Sequence, residues 1–364
     1  MERKRLLQFP GAIEGLRFED AHRHQEILLA LNDVFFHWGY LPVETPVFDF
    51  FDIYRPLLHG RDLEKIYRLI DREGDLLMLR SDITLFLAKQ LGLSLRKDNL
   101  PVRACYADVI LRHQNQEDIS SNEFFQVGAE LIGKPGKDGD LEILFLTLKI
   151  LETLEVSARI HIGSRAFYNA ACQGLSPEEV KTLSGAVCSR ERGDILNLLK
   201  KTQSPAVCRL TADLLLFLGT TAEYRDLFKA CKARIPSEDM KRELQYLLDL
   251  GNILEEAGMA SHIRIDLSEI GSQPYYTGLV FQGYMEHLDS AFLGGGRYDG
   301  LLSTFGLSAP SVGFSFFPRK IEPWIGRPER FFPSDGVEKA RGTTFLEKIR
   351  HAEELRRNGK RVIL

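Results

Sequence analysis

Apolar residues recur at Ile27, Leu28, Leu31, Val34, Phe35 and Trp38, a three-and-four spacing that predicts an amphipathic helix over residues 18–38. Gly39 supplies its stop, since glycine takes the left-handed backbone that ends helices. The pattern then shortens. Residues 40–48 form an extended run bounded by Pro42 and Pro46. The apolar runs at residues 67–70 and 76–80 flank Asp71-Arg72-Glu73-Gly74-Asp75, predicting a hairpin that turns at Gly74. A helix follows from Ile83 to Leu91. Two strands are expected over 102–110 and 124–132, with a mobile polar loop, Asn115–Ser121, between them. A strongly apolar helix over 141–154 leads into a strand at 159–162.

From about Phe167 to Ala260 strand-like alternation disappears, and helical segments such as 206–218 and 241–256 take over. Strand texture returns at 263–267, 279–284, 291–294 and 311–316. The end of the chain, 345–364, reads as one basic helix followed by Arg361-Val362-Ile363-Leu364. This order of elements predicts an α+β fold: an antiparallel sheet flanked by helices and interrupted by a helical insertion. The expected segments are a core in two parts, 1–165 and 261–325, a helical insertion at 166–260, and a tail at 326–364.

A chain of 364 residues can bury a core of this kind, and its net charge of -4 gives no electrostatic case for nucleic acid. Cys105, Cys172, Cys188, Cys208 and Cys231 lack metal-type spacing, and an odd, dispersed set suggests reduced thiols in the cytosol. The basic start, Met1 to Arg5, is followed by no long apolar run, so neither a signal peptide nor a membrane span is expected. His22 and His24 face different directions on a helix and are not read as metal ligands. No cofactor or metal is expected. The basic side chains of the tail helix read as a solvated face.

Four ordered segments carry candidate chemistry: Leu79-Arg80-Ser81-Asp82-Ile83-Thr84, Phe125-Gln126-Val127-Gly128-Ala129-Glu130, Tyr275-Tyr276-Thr277-Gly278 and Gly295-Gly296-Arg297-Tyr298-Asp299. Together they resemble the amino-acid site of a histidyl-tRNA synthetase, over roughly residues 10–325. The first helix with Gly39-Tyr40 and Pro46, then Arg112 with Phe124–Glu130, then Gly313-Phe314-Ser315-Phe316 are similar to the three class II synthetase motifs. The first of these builds the dimer interface in that family.

The departures point away from catalysis. Class II enzymes clasp ATP with arginines from the second and third motifs, and Arg112 matches the former. At the latter's place stand Phe317-Pro318-Arg319-Lys320, and a lysine lacks the bidentate fork. Gln114 replaces a glutamate, Asn122 stands where an arginine usually approaches the phosphates, and Gly271 replaces the arginine that opens the histidyl motif. Each preorganised donor of this kind is worth about 10²–10³ in rate. An anticodon-binding domain, of which the tail at 326–364 is expected to be a remnant, is nearly absent.

A synthetase-like chain with the histidine pocket but not the ATP clamp resembles the regulatory subunits of ATP phosphoribosyltransferase. The resemblance implies a non-catalytic, cytoplasmic subunit that pairs with a short catalytic subunit, has a homodimeric core, and mediates histidine feedback on the first step of histidine biosynthesis. It also assigns the pocket: Glu130 and Tyr276 to the imidazole, with Tyr275 as second choice for the hydroxyl. Asp82, Thr84 and Gln126 go to the ammonium, Arg112 to the carboxylate and Tyr298 to the wall. On residues alone, one of Tyr275 and Tyr276 packs the core, because neighbours alternate across a strand, and Arg297 is as suited to bracing the sheet as to touching ligand. A divergent synthetase, or a synthetase-like module for another ligand, would carry much of the same pattern.

Overall fold

The structure, a computed structural model, describes residues 18–58, 61–113, 122–325, 338–360 and 362–364. Helix α1 (Phe18–His37) buries Ile27, Leu31, Val34 and Phe35 on the face set by the three-and-four spacing, and Gly39 ends it at φ 78°. Strands β1 (Leu41–Pro42) and β2 (Phe48–Phe50) follow. β3 (Arg68–Ile70) and β4 (Leu76–Leu79) form the expected hairpin, with Gly74 at φ 93° in its turn. After α2 (Ile83–Ser94) come the long strands β5 (Val102–Leu111) and β6 (Glu123–Ile132), then α3 (Gly136–Thr153) and β7 (Arg159–Ser164). The loop predicted at Asn115–Ser121 lies outside the described residues.

The helical stretch contains α4 (Arg165–Ala171), α5 (Pro177–Cys188), α6 (Arg192–Leu199) and α7 (Pro205–Leu215), then β8 (Leu218–Gly219), α8 (Thr221–Cys231) and α9 (Glu238–Glu256). Ser176 with Glu179, and Thr220 with Glu223, close reciprocal capping boxes that start α5 and α8. Strands β9 (Ile263–Asp266), β10 (Leu279–Tyr284), β11 (Leu293–Arg297) and β12 (Ser311–Phe316) complete the sheet. Beyond it lie β13 (Glu338–Lys339), α10 (Phe345–Arg357) and β14 (Val362–Ile363).

The main sheet has nine strands in the order β1-β5-β6-β12-β11-β10-β7-β9-β8. It is mixed rather than wholly antiparallel: β1 runs parallel to β5, and β7 parallel to β9. The helix expected over 206–218 stops at Leu215, and the two residues of β8 join the sheet edge, too short a strand for alternation to reveal. The strand expected at 291–294 sits later, at 293–297, where its three glycines still pair on both sides. The tail is not helix alone, since Val362–Ile363 pairs in parallel with Glu338–Lys339. Among the described residues no helix is long and apolar enough to cross a membrane.

Strand alternation sorts the core into two layers. On one face Val127, Ala129, Leu131, Phe281, Val312 and Phe314 pack with α1, α3 and the helices of the 166–260 stretch in one continuous cluster. On the other, Ala104, Tyr106 and Ile132 pack under α2 with Met78, Phe86, Tyr298 and Leu302. That second layer covers only part of its face. Gln126 and Glu130 of β6, Gly313 and Ser315 of β12, and Gln282 of β10 point to the uncovered part and form the floor of a cavity.

Arg297 braces this arrangement rather than entering it. Its guanidinium pairs with buried Asp140 at 2.6 Å and with Asp299 at 3.0 Å, and donates to the carbonyl of Gly136.

Candidate functional site

The cavity encloses about 480 Å³ above the sheet. Its near wall is the corner between β4 and α2, which Arg80 holds in place. The Arg80 guanidinium, buried and 1% exposed, donates to the carbonyls of Thr45 and Val109 and to the Thr45 hydroxyl, and pairs with Asp108 at 2.7 Å. Asp82 then caps α2, accepting from the Leu85 N–H at 3.1 Å. Its other oxygen lies 3.3 Å from the Arg112 guanidinium, whose Nε donates to the Ser81 carbonyl at 2.6 Å.

Glu130 sits at the bottom, 1% exposed. Thr84 and Tyr106 donate hydroxyls to Oε1 at 2.7 and 3.2 Å, and Tyr298 donates to Oε2. No cation touches the carboxylate among the described residues. Burial, with Asp82 adding to it, pushes the Glu130 carboxyl up from 4.5 to about 8, against the pull of the three hydroxyls. Burial likewise raises Tyr106, Tyr275 and Tyr298 well above the usual phenol range, so they act as neutral donors.

Below about pH 4.5 Glu130 is protonated in both the folded and unfolded chain and favours neither. Between 4.5 and about 8 the unfolded chain releases a proton that the folded protein keeps, so this group lowers stability as pH rises through that window. Glu269, raised to about 7 by its own burial, acts in the same sense. Thermal unfolding followed from about pH 5 to about pH 9 is expected to show wild type losing ground to Glu130→Gln by a few kcal/mol. A gap between the two that stays flat with pH would contradict this assignment.

All eight residues singled out in the sequence line this one cavity: Asp82, Thr84, Arg112, Gln126, Glu130, Tyr275, Tyr276 and Tyr298. Several arrive already engaged. Gln126 accepts from the Ile83 N–H and donates to Ser315, Thr84 serves Glu130, and Arg112 holds Ser81 and Asp82. The alternation expected of Tyr275 and Tyr276 is corrected. They lie in a turn before β10, so both rings face the cavity, with centroids 5.2 Å apart. Neither hydroxyl has a protein partner among the described residues.

Residues not foreseen also contribute. Tyr106 reaches Glu130 by lying over Gly128, where a Cβ would meet its hydroxyl at 2.4 Å; a glycine inside a strand was the available signal. Lys65, Gln273 and Gln282 line the cavity without any local motif.

The far end differs from a nucleotide clamp. Arg319 does not line the cavity; its guanidinium lies over the Phe125 ring and faces Glu123 at 3.9 Å. Phe317 does line it, packing against Phe124, and Lys320 sits over the Phe317 ring. Gly271 has φ 77°, and a Cβ there would stand 2.6 Å from the Tyr276 ring. No arginine fits that place without moving the tyrosine. Among the described residues no group of side chains is arranged to hold a metal ion.

The histidyl-tRNA synthetase family profile matches residues 12–321. The ATP phosphoribosyltransferase regulatory subunit of Moorella thermoacetica is 30% identical over 361 residues, spanning 98% of this chain and 92% of the relative. The chain belongs to the ATP phosphoribosyltransferase regulatory subunit family. A second member, from Ruminiclostridium cellulolyticum, is 26% identical across 84% of this chain and 73% of its own.

Solved structures show the same fold at lower identity. An ATP phosphoribosyltransferase regulatory subunit/histidyl-tRNA synthetase from Bacillus halodurans superposes with TM-score 0.85 at 24% identity, over 99% of this chain and 92% of that one. A histidyl-tRNA synthetase from Nostoc gives 0.77 at 20%, over 98% and 85%. The mixed sheet flanked by helices is thus the class II, histidyl-type core, and membership ties the chain to histidine biosynthesis.

Proposed function

We propose that the chain is a non-catalytic subunit that binds L-histidine in the cavity over Glu130 and transmits its presence to a short catalytic subunit. That partner joins ATP to phosphoribosyl pyrophosphate. The observation that carries this reading is the asymmetry of one cavity. Its Glu130 end is fully built, while at its other end Arg319 is turned away and Phe317 stands where a nucleotide clamp would need a glycine; Gly271, against the Tyr276 ring, takes the place of the arginine that opens the histidyl motif.

An imidazole donates one N–H and accepts at its other nitrogen, and Glu130 with a tyrosine hydroxyl of the 275–276 pair matches that pattern. Asp82, beside the mouth, suits the ammonium. Lys65, whose ammonium has no partner among the described residues, suits the carboxylate better than the already engaged Arg112. Exposed Phe36, Leu41, Val47 and Phe48 lie along the first-motif region, and we infer that a second copy covers them.

Calorimetric titration of the full chain tests the reading, with L-histidine, histidinol and ATP as titrants. L-Histidine is expected to bind, histidinol more weakly for want of the carboxylate, and ATP not at all. Joint binding of ATP and histidine, with ATP–pyrophosphate exchange, would instead mark an active synthetase.

A further inference from the structure

A second cavity, of about 410 Å³, lies beside the first, over β7, β9 and β10 of the sheet and next to the end of α5. His161, Asp266, Glu269, Tyr284, Cys188 and Arg190 line it, and Ser272 and Gln282 line both cavities. Nothing in the reading above uses it.

Its charges are unevenly settled. Asp266 accepts from His161 Nδ1 at 3.0 Å through one oxygen, and from Arg190 at 2.9 Å and Ser268 at 2.6 Å through the other. That carboxylate is fully occupied, and it fixes the His161 ring, which also packs on Tyr284 with centroids 4.7 Å apart. Glu269 differs. It is 9% exposed, and its partners are the Gly271 N–H and the Gln282 amide, each at 3.1 Å, and the Tyr284 hydroxyl at 3.4 Å. All three are neutral. A largely buried carboxyl held only by neutral donors, at the wall of a cavity of ligand size, is neutralised either by keeping its proton or by a cation that enters the cavity. The set is not one arranged to hold a metal ion.

We propose that this cavity is a binding site for a small organic cation carrying a primary ammonium group, with Glu269 as counter-ion and the Asp266-held His161 and Tyr284 as walls. The ammonium donates to Glu269, and the apolar remainder packs along the two rings, adding apolar contact to the ion pair.

Cys188 gives a readout that needs no change in the interior. It is exposed at this cavity, whereas the other four cysteines are buried. With the full chain and no histidine present, n-butylammonium chloride is the probe and n-butanol its neutral isostere. Butylammonium is expected to slow alkylation of Cys188 by iodoacetamide and to give a saturable calorimetric signal, while butanol does neither. Glu269→Gln is expected to weaken the butylammonium response by about tenfold or more, as loss of a charge-assisted bond implies. Glu130→Gln is expected to leave it unchanged, which separates this cavity from the first. The proposal is overturned if butylammonium gives no protection and no saturable signal, if butanol protects equally, or if a folded Glu269→Gln variant responds like wild type.

Discussion

Glu130→Gln is expected to weaken L-histidine binding by about 10²-fold while leaving the protein folded. The carboxylate accepts from Thr84, Tyr106 and Tyr298 and is almost wholly buried at the bottom of the cavity. An imidazole N–H entering this nest meets an acceptor that can turn fully anionic as it binds, because its proton is held only to about pH 8. A glutamine amide is the same size but brings an NH₂ among three hydroxyl donors. It loses the charge-assisted bond, and one of its two polar atoms opposes a donor. Isothermal titration checks the affinity. The thermal midpoint reports the fold, and by the sign worked out above the variant gains stability near neutral pH. Undiminished histidine binding in a folded variant would remove Glu130 from the site.

Gly313→Ala is expected to be harsher, costing several kcal/mol of stability and most of the histidine affinity. Glu130 and Gly313 are register partners on β6 and β12, and the carboxylate lies flat over the glycine. A Cβ at Gly313 would stand 1.6 Å from Glu130 Oε2 and 2.6 Å from the Ala129 carbonyl. The carboxylate would have to swing away from its three hydroxyls, and a buried acid without partners is what such a core tolerates least. Denaturant unfolding with histidine titration measures both losses. A variant as stable as wild type would show that Glu130 has another resting place.

Both predictions rest on residues that stood out in the sequence, and the reason is steric. Glycines recur where a large polar side chain crosses the sheet: Gly313 under Glu130, Gly296 beneath the Tyr276 ring, Gly128 beneath Tyr106. Motifs of this kind are legible because backbone spacing leaves few alternatives. The long strands and α1 were legible for the related reason that each buries one regular face.

Other features depend on contacts between distant segments. Tyr275 and Tyr276 share the cavity because their turn overrides strand alternation. Arg112 is drawn onto Ser81 and Asp82 by the β4–α2 corner, which its own neighbourhood does not reveal. β8 is two residues long and exists as a strand only because β9 offers an open edge. The second cavity assembles His161, Cys188, Asp266 and Tyr284 from four elements, and Arg190 and Glu269 from two connections, so no spacing announces it.

The central claim is that histidine bound over Glu130 governs a partner's turnover. The most direct test combines the chain with a short catalytic subunit and follows the joining of ATP to phosphoribosyl pyrophosphate, with and without L-histidine. The predicted result is turnover that requires the chain, falls as histidine is added, and becomes insensitive to histidine in the Glu130→Gln complex while its rate without histidine is kept. Full histidine inhibition in the Glu130→Gln complex would contradict the account, because the signal would then enter somewhere other than this cavity.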